Sequence, residues 1–175
     1  MGDSLITIVA IFLAAILMFV FPLAAISEMN DQETLALVQS YTTEFVNKIR
    51  TKGKITVEDY DAYIQQLYAT GNSYDVNFDI QVADANPGKK TENQYVGDTT
   101  YYGVYTAQLT NDGGTGDLDV YGVYPLKEGD HVSVSVKNTN KTISQMIKDV
   151  LYSVTGDASY VIAAQASGAV VSIGY

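Results

Sequence analysis

The chain has 175 residues, 47% of them hydrophobic and 17% charged, and the apolar residues crowd so heavily at one end that a purely cytosolic globule is disfavoured. Ten basic residues face twenty acids, nineteen of which follow residue 27, so the last 148 residues carry a net charge near −9 that argues against nucleic acid and anionic lipid headgroups as partners. Cysteine is absent and histidine occurs once, which removes disulfides, thiolate metal or redox sites and multi-histidine metal sites from consideration.

Residues 5–26 form an uncharged run of 22 residues. As a helix it spans about 33 Å at roughly 1.5 Å per residue, against a bilayer core of about 30 Å. The run is long for a signal peptide and no basic residue precedes it, so it reads as a retained anchor. Ala25-Ile26-Ser27 before Glu28 nevertheless has the form of a cleavage site. No Lys or Arg occurs before Lys48, so composition decides orientation: the short N-terminus is expected at the cytoplasmic face and the Tyr, Thr, Asn and Gly-rich remainder outside. Pro22 removes a helical hydrogen bond and crowds the carbonyl of Met18, which predicts a kink or local loosening there.

The helical pattern continues beyond the run, because Leu35, Val38, Thr42, Phe45 and Ile49 recur at three-four spacing. Lys48, Arg50 and Lys52 suit a helix C-terminus, and Gly53 a stop. One helix from about residue 4 to residue 52 would be about 74 Å long; the alternative is a break near residues 29–31, where Asn30 and Asp31 are weak helix formers. Thr56 then caps a second helix with Val57, Tyr60, Ile64 and Leu67 on its buried face and Gly71-Asn72 at its end.

From Tyr74 the period changes to two. Tyr74, Val76, Phe78, Ile80 and Val82 alternate with Asp75, Asn77, Asp79 and Gln81, the pattern of a half-buried strand. A turn at residues 86–90 follows, then weaker strand patterns over residues 100–109 and 118–124 and a strong one at Val132, Val134 and Val136. Thr142 and Gln145 make a capping box for a helix with apolar face Ile143, Met146, Ile147, Val150 and Leu151, closed by Gly156. Residues 160–173 read as one or two buried strands with a turn at Ser167-Gly168. The organisation is thus a transmembrane helix (1–27), an amphipathic stem (28–55) and an exported α+β head (56–175), a small antiparallel sheet with two further helices.

Candidate chemistry is sparse. If the valines of 132–136 face inward, His131 faces water, a poor start for catalysis. Asp112, Asp117 and Asp119 form a candidate calcium loop by their hard oxygens, but their spacing fits neither the EF-hand nor the glycine-rich calcium nonapeptide, and turn chemistry accounts for them equally. Gly113-Gly114-Thr115-Gly116 lacks the lysine of a phosphate loop, and Asn140-Lys141-Thr142 fits a glycosylation sequon, a match frequent by chance. Tyr101, Tyr102, Tyr105, Tyr121 and Tyr124 make a candidate contact surface for carbohydrate or protein, although strand propensity explains them too.

This layout resembles the type IV pilin and pseudopilin superfamily, and the head is similar to Tad-type minor-pilin proteins of Gram-positive bacteria. The resemblance rests on the uncharged helix with Pro22, the stem ending Phe45-Val46-Asn47-Lys48-Ile49-Arg50-Thr51-Lys52-Gly53, and three words of the head: Ala69-Thr70-Gly71-Asn72-Ser73-Tyr74-Asp75-Val76, Gly129-Asp130-His131-Val132-Ser133-Val134-Ser135-Val136, and Ala166-Ser167-Gly168. The chain departs from the family in having Leu5 rather than a glutamate at the fifth position and no basic leader; Asp3 is the nearest early carboxylate. The resemblance implies a structural subunit, with no enzymatic activity, cofactor or metal. It would assemble in or from the membrane with itself or other pilin-like subunits through Leu5, Ile8, Ile11, Phe12, Ala14, Ala15, Met18, Pro22 and Ala24, and reside in the cell membrane or an extracellular filament. The competing expectation is a membrane-tethered module that binds a sugar or protein through the head.

Overall fold

A proline inside an apolar helix has to be accommodated, and the way this chain does so sets its long axis. The computed structural model describes residues 2–84, 100–152 and 162–172. Helix α1 (Gly2–Ala15) passes through a π-helical turn (Ile16–Val20) directly into α2 (Phe21–Lys52). The wider turn lies just ahead of Pro22, where the missing N–H and the ring break the regular ladder, so the loosening expected at Met18 takes the form of a π turn rather than an interruption. No break occurs at residues 29–31, and the helix long and apolar enough to cross a membrane runs over Ser4–Lys52, 49 residues. Gly53, at φ +67°, ends it by donating its N–H to the Ile49 carbonyl.

Strand β1 (Lys54–Thr56) leads into α3 (Val57–Tyr68), whose Asp59 N–H is capped by the Thr56 hydroxyl. Four strands form the main sheet: β2 (Tyr74–Ala83), β3 (Thr100–Tyr105), β5 (His131–Asn138) and β6 (Ala163–Ala169), in the order β3-β2-β5-β6 and antiparallel throughout. Phe78 faces Val134 and Val134 faces Ala166, so the alternating apolar residues share one side of the sheet. Tyr74, Val76, Phe78, Ile80, Val82, Val132, Val134 and Val136 are buried, whereas Asp75, Asp79, Ser133 and Ser135 lie on the other, more open face.

The lower half of α2 packs across β6 and β5 and completes the core. Phe45 stacks on Tyr63 of α3 at 4.4 Å and meets Phe78 edge-on at 6.0 Å. The Thr42 hydroxyl donates to the Val38 carbonyl and lies 2.9 Å from the Tyr63 hydroxyl. Burial is the main reason that hydroxyl is pushed up to about 12. Val38, Val46 and Ile49 are also enclosed, so stem and head share one hydrophobic core.

Three expectations need correction. Residues 106–109 and 118–121 are not strand: they lie in two short helices, α4 (Thr106–Leu109) and α5 (Asp117–Tyr121), and strand β4 (Val123–Pro125), paired with β1, is all that remains of the second pattern. Gln108 and Asp119 side chains accept the N–H groups of Tyr105 and Gly116, satisfying the start of each helix locally and diverting the chain from the sheet. Ser167-Gly168 is not a turn but part of the single strand β6, an edge strand in which only Ala164 is buried. The buried set of α3 includes Asp59 and Tyr63, while Val57, Tyr60 and Ile64 are half-buried. The pattern left open which way the helix after Thr142 faces, and α6 (Ile143–Tyr152) turns Ile143, Met146 and Val150 outward, whereas Ser144 and Gln145 are buried. The turn expected at residues 86–90 and the stop at Gly156 lie outside the described residues.

Candidate functional site

The apolar helix is the surface that most needs a partner. Leu5, Ile8, Ile11, Phe12 and Met18 are 66–72% exposed, and none of the helix's most apolar stretch is buried in the monomer. A contiguous apolar surface of this extent marks a contact with protein or lipid. Ala14 and Ala15 precede the π turn and Ala24 follows Pro22. The extra residue in that turn rotates the two groups by about 100° relative to an uninterrupted α-helix. The side chain of Asp3 lies outside the described part.

Two polar contacts fix the helix where it meets the head. The Lys148 ammonium donates to Glu28 at 3.2 Å, and the Thr142 hydroxyl donates to the buried Asp31 carboxylate at 2.7 Å. Thr142 and Gln145 complete the expected capping box, with the Thr142 N–H on Gln145 Oε1 at 2.7 Å and the Gln145 N–H on Thr142 Oγ1 at 3.2 Å. Beside this junction lies a cleft of about 450 Å³ between Leu23 and Ile26 of the helix and Gly71, Asn72, Asn140 and Ile143 of the head. Asn140 is committed here: its Oδ1 accepts the Ser73 N–H at 2.8 Å and its Nδ2 donates to Asn72 at 2.9 Å. Both polar ends of the sequon therefore hold the fold together.

A second weld sits at the bottom of the stem. Asp59, itself buried, receives Lys48 at 2.8 Å and Lys52 at 2.7 Å. Burial alone would raise its carboxyl, but the hydrogen bonds from Lys48, Lys52 and Thr56 outweigh that and hold it below the usual carboxylate range. Arg50 donates to the Ala169 carbonyl at 2.6 Å across the edge of β6. Sequence reasoning saw in these cations only a match to the helix dipole, because their partners lie in other elements.

The remaining candidates are scattered. His131 is exposed at the start of β5, opposite Gln81. Asp119 is occupied by the fold: the Asn111 N–H, the Thr110 hydroxyl and the Gly116 N–H all donate to it, and the first two chiefly lower its pKa. Asp112 and Asp117 are exposed, and among the described residues no group of three His, Asp or Glu side chains is placed to hold a metal. Among the described residues the candidate tyrosines form no common platform. Tyr102 shares the face of Val104, Tyr105 lies on the opposite face, and Tyr121 projects from α5. Tyr124 is half-buried, its hydroxyl pushed up to about 12 by burial and then by nearby Tyr102 and Asp130. The side chain of Tyr101 lies outside the described part. Tyr105 instead borders an open groove of about 480 Å³ on the polar face of the sheet, with Asn77, Asp79, Ser133, Ser135 and Gln165.

Comparison with protein-family models, curated proteins and solved structures finds no match to this chain.

Proposed function

We propose that this protein is a pilin-like structural subunit of a type IV, Tad-like pilus or secretion machine, held in the cell membrane by its N-terminal helix with the head exported, and assembling through that helix. The observation that carries this reading is mechanical. The exposed apolar helix and the stem are one continuous helix, and the stem is built into the head's core through Val38, Phe45, Val46 and Ile49. A flexible tether needs no such fusion, whereas a subunit that transmits force or register from a helix bundle to an outer head does. Apolar side chains exchange lipid for helix contacts at little polar cost, and the small residues Ala14, Ala15 and Ala24 allow close approach. The partners are copies of the chain or other pilin-like subunits, and the role requires no catalysis or cofactor.

The test replaces Ala14, Ala15 and Ala24 by Leu, which preserves hydrophobicity and span. Membrane fractionation is expected to survive, while filaments released by shear, or crosslinked ladders, are lost because helix packing senses side-chain shape. Assembly unchanged in the triple variant counts against the subunit reading.

The groove beside Tyr105 favours a second reading, a membrane-tethered module whose polar sheet face binds a carbohydrate. An aromatic ring next to amide, hydroxyl and carboxylate groups suits a sugar face and its hydroxyls. Loss of glycan binding in Tyr105→Ala with assembly intact supports that alternative.

A further inference from the structure

The inside-out helix α6 has no explanation within the head. At 100° per residue, Ile143, Met146 and Val150 fall within an arc of about 60°, and they are 59%, 49% and 77% exposed. Buried Ser144 and Gln145 and half-buried Lys148 occupy the opposite side, facing the body of the protein. An amphipathic helix that spends its polar side on its own core keeps its apolar side for something else.

Its position identifies that occupant. Thr142 is bonded to Asp31 and Lys148 to Glu28, so α6 is tied to α2 two to five residues beyond Ile26, the last residue of the uncharged run. At 1.5 Å per residue this is about 3–8 Å past the end of that run, the depth of the headgroup layer that adds about 5–7 Å to each side of a bilayer core. Ile143 already lines the same cleft as Leu23 and Ile26. The first residue of the exposed face of α6 thus lies beside the apolar end of the span.

We propose that α6 is an interfacial helix, with Ile143, Met146 and Val150 inserted at the headgroup and acyl boundary of the bilayer that the N-terminal helix crosses. The inference rests on the membrane-spanning reading of that helix. Lys141, two residues ahead of α6, is paired with Asp149 at 2.6 Å, and Lys148 within it with Glu28, so insertion is driven by apolar contact and proceeds on a neutral lipid surface. The helix would hold the rod and head at a set angle to the membrane before assembly.

The chain contains no tryptophan, so a single introduced one reports its own surroundings. Full-length Met146→Trp, Phe21→Trp and Tyr121→Trp are reconstituted separately in phosphatidylcholine vesicles with or without lipid brominated on the upper acyl chain. The expected result is a loss of fluorescence for Met146→Trp comparable to that of Phe21→Trp, with Tyr121→Trp unaffected. Phe21→Trp quenched but Met146→Trp no more quenched than Tyr121→Trp overturns the α6 inference and leaves the spanning helix intact. Absence of quenching at Phe21→Trp overturns both. Met146→Trp shielded from bromolipid and also from aqueous acrylamide means that a protein surface, such as a second copy, covers α6, and rejects the lipid assignment. All three positions are exposed, so the substitutions leave the core untouched.

Discussion

Removing residues 1–27 and removing residues 1–52 should have opposite consequences, although both deletions take away only N-terminal helix. The described part of the first segment contributes no buried side chain to the head. The second deletion also takes Val38, Phe45, Val46 and Ile49, each between 0% and 4% exposed. Burying four such side chains contributes about 1.5–3 kcal/mol each, or about 6–12 kcal/mol together, which is as large as the whole stability of a typical domain at about 5–15 kcal/mol. The same cut removes Thr42 from the Tyr63 hydroxyl and both lysines from Asp59. The chain beginning at Glu28 is therefore expected to be soluble and to melt cooperatively by circular dichroism, with native tyrosine near-ultraviolet bands. The chain beginning at Gly53 should show neither and should bind a hydrophobic dye. Within the longer chain, Phe45→Ala should cost about 3–5 kcal/mol because it empties the stack on Tyr63. A cooperative melt for the chain from Gly53, close to that of the longer one, would refute the claim that stem and head share a core.

Three further outcomes follow from the polar contacts and the backbone. Because the Asp59 carboxyl is depressed below its ordinary 3.8, its contribution is fully present above that pH and disappears as the pH falls through the lower folded value. Asp59→Asn should thus cost about 1–2 kcal/mol near neutrality, a modest figure since the lysines are half exposed to solvent, and urea melts of the two proteins should converge in acid; a constant gap at all pH values contradicts this. Thr142→Val leaves the buried Asp31 carboxylate without its hydroxyl donor and should cost about 1–3 kcal/mol in denaturant melts, with Thr142→Ser restoring most of the loss. Gly116→Ala would set a methyl group on the Leu109 carbonyl, whereas the nearest atoms to Gly168→Ala belong to the Arg50 guanidinium, a side-chain end that can shift at the cost of its bond to the Ala169 carbonyl. The first should cost about 1–3 kcal/mol and the second clearly less, so equal losses would show that the Gly116 contact has been misjudged.

Much of the architecture was legible because its causes are local. The run without charges, the stripe from Val38 to Ile49 and the glycine at position 53 specify a helix and its end through interactions within one or two turns. The alternation at Tyr74 to Val82 and at Val132 to Val136 likewise specified which side of each strand is buried, because a period of two leaves only two choices. Where two local tendencies competed, pattern reading failed: the tyrosine-rich segments near residues 106–109 and 118–121 have strand-forming composition, but Gln108 and Asp119 stabilise helical turns at close range.

The sequence alone determined the long N-terminal helix, the strands from Tyr74 and from His131 and the extent of the exposed apolar helix; the tertiary structure alone decided which surfaces face one another. Helix α6 shows the difference most clearly. Its period predicted an amphipathic helix correctly but left open which way the apolar side faces, because its orientation is set by Asp31 and Glu28, 111 and 120 residues away in the chain. Tyr102 and Tyr105, close together in the sequence, are divided by the pleat of β3, and Tyr121 is set apart from them on α5. Periodicity and capping are functions of neighbouring residues and can be read along the chain. Burial depends on what the rest of the chain brings to each face, which becomes defined only when the helix from residue 31 to residue 49 closes over the sheet.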